Sequence, residues 1–282
     1  MKVKITADST CDLPQDIIEK YNIGITPLYI IMDEKPYKDR LEITVTDMFE
    51  YVESGKGMTR SNAINISEYQ EYFTEWLKEC DAIVHISISN HFSACNQSAR
   101  IAAEDFDNVY IVDSLNLSTG SGLLVLDAAI MAKEGKTPEQ IVERLEELVP
   151  KVEASFVIST LKYLRLGGRC SSLAALGANI LKLNPCIGVI DGKMDVVKKY
   201  RGVFDKIILQ YVDDRLNASR DDIDTRRIFI TYSEGTSEAI VKSVIEKIKS
   251  LRDFDEIICS EAGCVISNHC GPKCLGILFY RK

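Results

Sequence analysis

Apolar residues follow two spacings along the first half of the chain, and together these spacings predict alternating strands and helices. Val3 and Ile5 alternate with lysines and lead into a polar turn, as a half-buried strand does. Between residues 13 and 21 the apolar positions recur four apart, which is typical of one helix face. Residues 25–31 are apolar again and indicate the next strand. This order predicts a β-α-β unit at the start of the chain.

The same alternation continues to about residue 150. Residues 83–88 and 109–112 are short apolar runs, each followed by a polar loop and a helical segment, which is the pattern of buried parallel strands. Ser67 and Gln70 have the spacing of a capping box and predict a helix start there. We therefore predict an N-terminal α/β domain with a parallel sheet over residues 1–152.

The second half has a different pattern. Two apolar runs flank Asp191-Gly192, a strong signal for a two-residue hairpin, so this sheet is predicted to be mixed or antiparallel. Helical spacing near 204–216 and 237–251 alternates with further strands. The predicted fold class is α/β with two domains, the second over residues 153–282.

Composition and charge narrow the function classes. The chain has 282 residues, of which 46% are hydrophobic, enough for a sizeable core, and its net charge of −8 argues against nucleic acid as a partner. Residues 1–152 carry 14 basic and 26 acidic side chains, whereas residues 153–282 carry 20 and 16, which predicts two unlike surfaces. No apolar run is long enough for a membrane span or a secretory signal. We expect a soluble, cytoplasmic protein.

The cysteines support a reducing compartment. There are nine, an odd number without the regular spacing of a disulfide framework. Cys259, Cys264, Cys270 and Cys274 flank His269, but their spacing is not that of a zinc site, so no metal is predicted and their role stays open.

The loops that follow the predicted strands are rich in hydroxyl groups. They include Ser61 and Asn62, Ser93, and Ser118. The carboxyl ends of parallel strands are where ligands bind, and hydroxyls and helix-start amides from several loops can surround one carboxylate or phosphate. Each serine taken alone is better explained as a helix N-cap, so only their convergence is informative.

Two interpretations of this site stay open, a binding protein and an enzyme. No dinucleotide, Walker, nucleophile-elbow or zinc-protease motif is present. Ser93, His269 and Asp8 could be written as a catalytic triple, although such triples arise by chance in any chain of this size. A phosphotransferase or hydrolase acting on a small polar substrate is therefore the alternative to a binding protein.

Several short motifs, in their order along the chain, resemble the DegV family of bacterial fatty-acid-binding proteins. The matching stretches run nearly end to end: Asp8 to Leu13, Pro27-Leu28, Tyr37 to Asp39, Thr59 to Ser61, Ile86 to Ala99, Val112 to Ser114 with Ser118, Tyr163 to Arg169, and His269 to Pro272 with Leu275-Gly276. After Thr59 the family commonly has Ser-Gln-Pro, whereas this chain has Arg60-Ser61-Asn62.

This resemblance implies a lipid carrier that performs no catalysis itself and needs no cofactor. One long acyl chain, palmitate-like for example, would lie in an apolar tunnel between the domains. Thr59 and Ser93 fall on the motif positions that bind the carboxylate, and Arg169 and His269 lie near the head group. Ser61, Asn62, Ala94 and Ser118 are further head-group candidates.

The resemblance also implies a partner. A separate fatty acid kinase would phosphorylate the bound fatty acid, and the carrier would pass acyl phosphate towards phospholipid synthesis, with transient contact at a membrane surface. The basic stretch with Lys198, Lys199 and Arg201 is a candidate surface for that kinase, and a solvated stretch after a hairpin is the equally good alternative.

Overall fold

The structure is a computed structural model that describes residues 1–172, 183–217 and 221–282. Within these ranges the strands are β1 (Val3–Asp8), β2 (Gly24–Thr26), β3 (Tyr29–Met32), β4 (Lys35–Lys38), β5 (Arg60–Asn62), β6 (Ala82–Ser87), β7 (Val109–Asp113), β8 (Val152–Ile158), β9 (Leu183–Ile190), β10 (Lys193–Arg201), β11 (Ile223–Tyr232), β12 (Glu256–Glu261) and β13 (Cys274–Arg281). The helices are α1 (Gln15–Tyr21), α2 (Val45–Glu53), α3 (Ile66–Leu77), α4 (Cys95–Ala103), α5 (Thr119–Lys133), α6 (Pro138–Leu148), α7 (Lys162–Gly167), α8 (Phe204–Asn217), α9 (Glu238–Leu251) and α10 (Cys264–Cys270).

The first half contains a four-stranded parallel sheet in the order β2-β1-β6-β7. Helix α5 contacts β1 and β6 of this sheet and also β8, β11 and β13 of the second half. Its residues are buried from Thr119 to Ala129 and, apart from Asp127, which pairs with Arg227 at 2.7 Å, they are apolar or small. A helix of this composition is stable only when it is covered all round, and α5 is covered because it lies between the two sheets.

The second half contains a six-stranded mixed sheet in the order β10-β9-β8-β13-β11-β12. Only β11 and β12 pair in parallel; the other neighbours are antiparallel. Asp191 and Gly192 join β9 to β10 with φ values of 48° and 78°, the left-handed backbone that this tight hairpin requires. The predicted α/β class, with one parallel and one mixed sheet, is confirmed.

Two local predictions were wrong. Residues 25–31 form two strands rather than one, since β2 pairs with β1 while β3 belongs to a small antiparallel sheet with β4 and β5. Pro27 lies between them and cannot donate to a strand ladder. Helix α3 is capped by Asn65, whose side chain accepts from Glu68 while Glu68 bonds back to Asn65, so the capping box lies two residues before the predicted one.

The two halves share their hydrophobic cores. One core combines Leu28 and Phe73 of the first half with Ile187 and Cys274 of the second, and another combines Leu124 with Leu278. The boundary predicted after residue 152 coincides with the start of β8. We keep this division as a proposal. No helix in the described ranges has the length and apolar character needed to cross a membrane.

Candidate functional site

A cavity of about 260 Å³ lies where the loops at the carboxyl ends of the parallel strands face the mixed sheet. Its floor is formed by the mixed sheet, where Phe156 of β8, Gly276 of β13 and Thr231 of β11 lie side by side on adjacent strands. Most of its wall is apolar and comes from both halves of the chain: Leu28, Ile88, Phe92, Leu117, Leu164, Met194, Val265, Ile266 and Leu278. The shape and lining are those of a site for an apolar small molecule.

Polar side chains from four separate segments meet at one part of this wall. Ser61 at the middle of β5, Ser93 before α4, Arg169 after α7 and His269 near the end of α10 all line the cavity. The Ser61 hydroxyl and His269 Nε2 are 2.8 Å apart and share a hydrogen bond. Four predicted head-group residues from distant parts of the sequence are thus brought together.

His269 is neutral at physiological pH. Burial, and then the positive charge of Arg169, lower its pKa to about 4. Its Nδ1 atom is buried and has no hydrogen-bond partner among the described residues, while Gly167 packs directly against it. Since an unpaired buried N–H is rarer than an unpaired acceptor, we assign the proton to Nε2. His269 then donates to Ser61, and the Ser61 hydroxyl keeps its own proton for a ligand.

Arg169 and Ser93 also have donor capacity left over. The Arg169 guanidinium donates to the Gly167 carbonyl at 2.6 Å and weakly to the Phe92 carbonyl at 3.5 Å, and no described carboxylate pairs with it. Ser93 accepts from the Cys95 amide at 3.3 Å, and among the described residues its hydroxyl proton points only to the weak acceptor Cys95 Sγ at 3.1 Å. Both side chains can therefore donate to a bound anion while giving up only weak hydrogen bonds.

Thr59 does not lie on the cavity wall. It is 6% exposed, and its hydroxyl donates to the Asn268 side chain at 2.6 Å, next to His269 in α10. The role predicted for Thr59 needs a free donor facing the ligand, and the side chain two residues later, Ser61, has that position. Thr59 instead ties β5 to α10.

The remaining candidates are placed as follows. Asn62 and Ala94 line the cavity and are exposed. Ser118 lines it too, but its hydroxyl donates to Asp12 at 2.6 Å. Asp12 is completely buried and also accepts from Arg40 at 2.9 Å and from the Gly263 amide at 2.8 Å. Ser118 therefore joins the two halves through Asp12.

A catalytic triple of Ser93, His269 and Asp8 is not assembled. His269 bonds to Ser61 rather than to Ser93. Asp8 is buried and accepts from Tyr69 at 2.6 Å and from the Ile88 amide at 2.9 Å, so it holds the strand ends in place.

An apolar tunnel was expected from the resemblance, but the residues that line it were not predicted from the sequence. Val265, Ile266 and His269 recur at helical spacing, so α10 lays one face along the cavity with the histidine at one end. Cys270 and Cys274 line the cavity as free thiols. Among the described residues, no group of three or more His, Cys, Asp or Glu side chains could hold a metal ion.

The fold and site together define an α/β protein with a largely apolar cavity between a parallel and a mixed sheet, and polar donors grouped on its wall. The profile of the DegV family, described as an uncharacterised protein family, matches residues 2–282, and the chain belongs to that family. A DegV domain-containing protein of Caldanaerobacter subterraneus subsp. tengcongensis is 32% identical over 283 residues, covering 100% of this chain and 99% of the relative.

Two further relatives carry names that refer to fatty acids. A structure described as showing fatty acid binding of a DegV family protein from Thermus thermophilus has a TM-score of 0.90 and 28% identity, and covers 100% of both chains. A Thermotoga maritima protein named as a fatty acid-binding protein is 28% identical over 283 residues, covering 98% of this chain and 96% of the relative.

Proposed function

We propose that this protein binds one long-chain fatty acid, with the acyl chain in the cavity and the carboxylate at its polar wall. The observation that carries the proposal is the grouping of Ser61, Ser93 and Arg169, all with donors to spare, on an otherwise apolar wall. A carboxylate placed in an apolar site without donors would cost several kcal/mol. The relatives named for fatty acid binding support the same ligand class.

The acyl chain would supply most of the affinity. Burying about 14 methylene groups at about 0.8 kcal/mol each contributes on the order of 11 kcal/mol, enough to offset much of the cost of association. The wall that receives them is formed by side chains such as Leu117, Phe156 and Leu278, which are buried or partly buried. The polar end then fixes the direction in which the ligand lies.

Each polar residue has a distinct role in this proposal. Arg169 provides the positive charge because His269 is neutral. Ser61 and Ser93 donate to the two carboxylate oxygens, and His269 orients Ser61 through their hydrogen bond. Thr59 does not contact the ligand; its hydrogen bond to Asn268 holds the end of α10 and contributes to stability.

The fate of the bound fatty acid is also a proposal. A separate fatty acid kinase would phosphorylate the carboxylate at the cavity mouth, and the protein itself would be a carrier without a cofactor. Lys199 and Arg201 are exposed on β10 and are candidate contacts for that kinase, whereas Lys198 is already paired with Asp214 at 2.6 Å. The nine free cysteines favour work in a reducing compartment such as the cytoplasm.

Titration of delipidated protein with a fluorescent long-chain fatty acid tests the binding proposal. We expect Ser61→Ala and Arg169→Gln each to weaken binding by about tenfold, since each removes a hydrogen bond to a charged group. Ser67→Ala is the matched control, because Ser67 is exposed in the first turn of α3 away from the cavity. Unchanged affinity in Ser61→Ala, Ser93→Ala, Arg169→Gln and their combination would overturn the assignment.

A further inference from the structure

A second cavity, of about 290 Å³, lies at the opposite edge of the parallel sheet, where β1 begins. It is enclosed by the last turns of α1 and α5 and by the residues that follow α3. The fatty acid cavity lies at the carboxyl ends of the same strands, so the two sites are separated by the length of β1.

Four lysines and one carboxylate line this second cavity. Lys2, Lys4, Lys20 and Lys133 face a single acid, Glu79. This concentration of positive charge stands out in a half of the chain whose net charge is −12. An anion is the ligand that such a local field favours.

The ammonium groups of Lys20 and Lys133 share one aromatic ring. They lie 5.1 Å and 5.5 Å from the centre of the Tyr21 ring. Neither has a hydrogen bond or an ion pair in the part of the chain that the structure describes, so both keep their donors. Two like charges on one ring repel each other, and an anion between them would relieve that repulsion.

Capping of the helix ends does not account for these lysines. The end of α1 is closed by the Asn22 amide, which donates to the carbonyls of Glu19 and Ile18. The end of α5 is closed by the Glu134 amide in the same way. Lys4 is the lysine with local partners, since its ammonium donates to the Asn22 carbonyl at 3.1 Å and side chain at 3.3 Å.

We propose that this cavity binds a phosphate group, either free or as a small monoester, held by Lys2, Lys20 and Lys133. A phosphate dianion has enough oxygens to accept from several ammonium groups at once. Val3, Ile5 and the Tyr21 ring form an apolar wall beside the lysines, which suits the organic part of a monoester. This site is independent of the fatty acid proposal.

Calorimetric titration of the full chain tests the proposal with inorganic phosphate and with phenyl phosphate at constant low ionic strength. We expect saturable binding of one phosphate group per chain and at least about tenfold weaker binding in the Lys20→Gln/Lys133→Gln variant. Lys35→Gln, an exposed lysine on β4, is the control that leaves phosphate binding unchanged. Acetate, a monoanion, should bind far more weakly.

The two phosphate probes distinguish the source of the ligand. Tighter binding of phenyl phosphate would indicate a monoester, and equal or tighter binding of inorganic phosphate would indicate the free ion. Absence of saturable binding, equal affinity of the double variant and the control, or acetate binding as tight as phosphate would overturn the proposal. Thermal unfolding and fatty acid titration of the double variant confirm that it is folded.

Discussion

Gly167 offers a sharp test of how the head-group residues are positioned. A methyl group added at this glycine would lie 2.3 Å from His269 Nδ1 and 3.1 Å from Cε1, well inside contact distance. Gly167 is the last residue of α7 and is not in the left-handed region, where only glycine is comfortable, so alanine itself suits the backbone. Gly167→Ala therefore acts by pushing the His269 ring away.

The expected effect follows from the hydrogen bond that the displaced ring loses. Breaking the 2.8 Å bond between Ser61 and His269 Nε2 releases the Ser61 hydroxyl from the orientation in which it donates to the carboxylate. Loss of that hydrogen bond to the bound ligand costs about 1–3 kcal/mol of binding free energy, or about five- to 150-fold in Kd. Fatty acid titration of the purified variant measures this loss.

Gly168→Ala is the matched control. Gly168 has a φ of +68°, so alanine is strained there by about 1–2 kcal/mol, yet no atom of the described residues lies within 4 Å of the added methyl. We expect a lower Tm with unchanged fatty acid affinity. If Gly167→Ala binds fatty acid as tightly as the unsubstituted protein, or both variants lose affinity equally, the role given to His269 is refuted.

Three further predictions concern stability. Thr59→Val leaves Asn268 unpaired and should lower the free energy of unfolding by about 1–3 kcal/mol in urea titrations, while the affinity for fatty acid stays unchanged. A variant that keeps full stability but loses affinity would contradict this prediction. His269 has a pKa of about 4 in the folded protein against an ordinary 6.5, so the unfolded chain takes up this proton first as the pH falls, and up to about 3 kcal/mol of stability should be lost between pH 7 and 4. In His269→Gln the free energy of unfolding should depend less steeply on pH over this range, and an equally steep dependence would refute the prediction. Asp12→Asn, which removes the ion pair with Arg40, should cost about 2–4 kcal/mol by the same urea assay, and a neutral effect would show that the contacts of Asp12, which reach the second half through the Gly263 amide, do not stabilise the fold.

Local signals in the sequence predicted the hairpin of the mixed sheet correctly but misplaced two other local features. Asp191-Gly192 specifies its hairpin because few pairs of residues can both adopt the left-handed conformation, and the structure has that turn. The capping box was misplaced because Asn65/Glu68 and Ser67/Gln70 have the same spacing, and only packing of α3 selects between them. Residues 25–31 were assigned to one strand because the small sheet that takes β3 depends on residues 35–38 and 60–62.

The sequence predicted which types of residue form the candidate site, but not which of two neighbouring hydroxyl groups faces the cavity. Motifs alone brought Ser93, Arg169 and His269 together, and all three line the cavity. Thr59 and Ser61 both bond to α10, a helix more than 200 residues away in the chain. Which of the two hydroxyls reaches the cavity depends on how α10 packs against β5, and that contact has no signal in the local sequence.

The central claim is that the cavity holds one fatty acid, and mass spectrometry of the intact protein purified without denaturation tests it most directly. The account predicts a mass increase of one long acyl chain per protein, together with the same fatty acid in an organic extract. A protein that carries no fatty acid, and that takes up none when a long-chain fatty acid is added after delipidation, would contradict it.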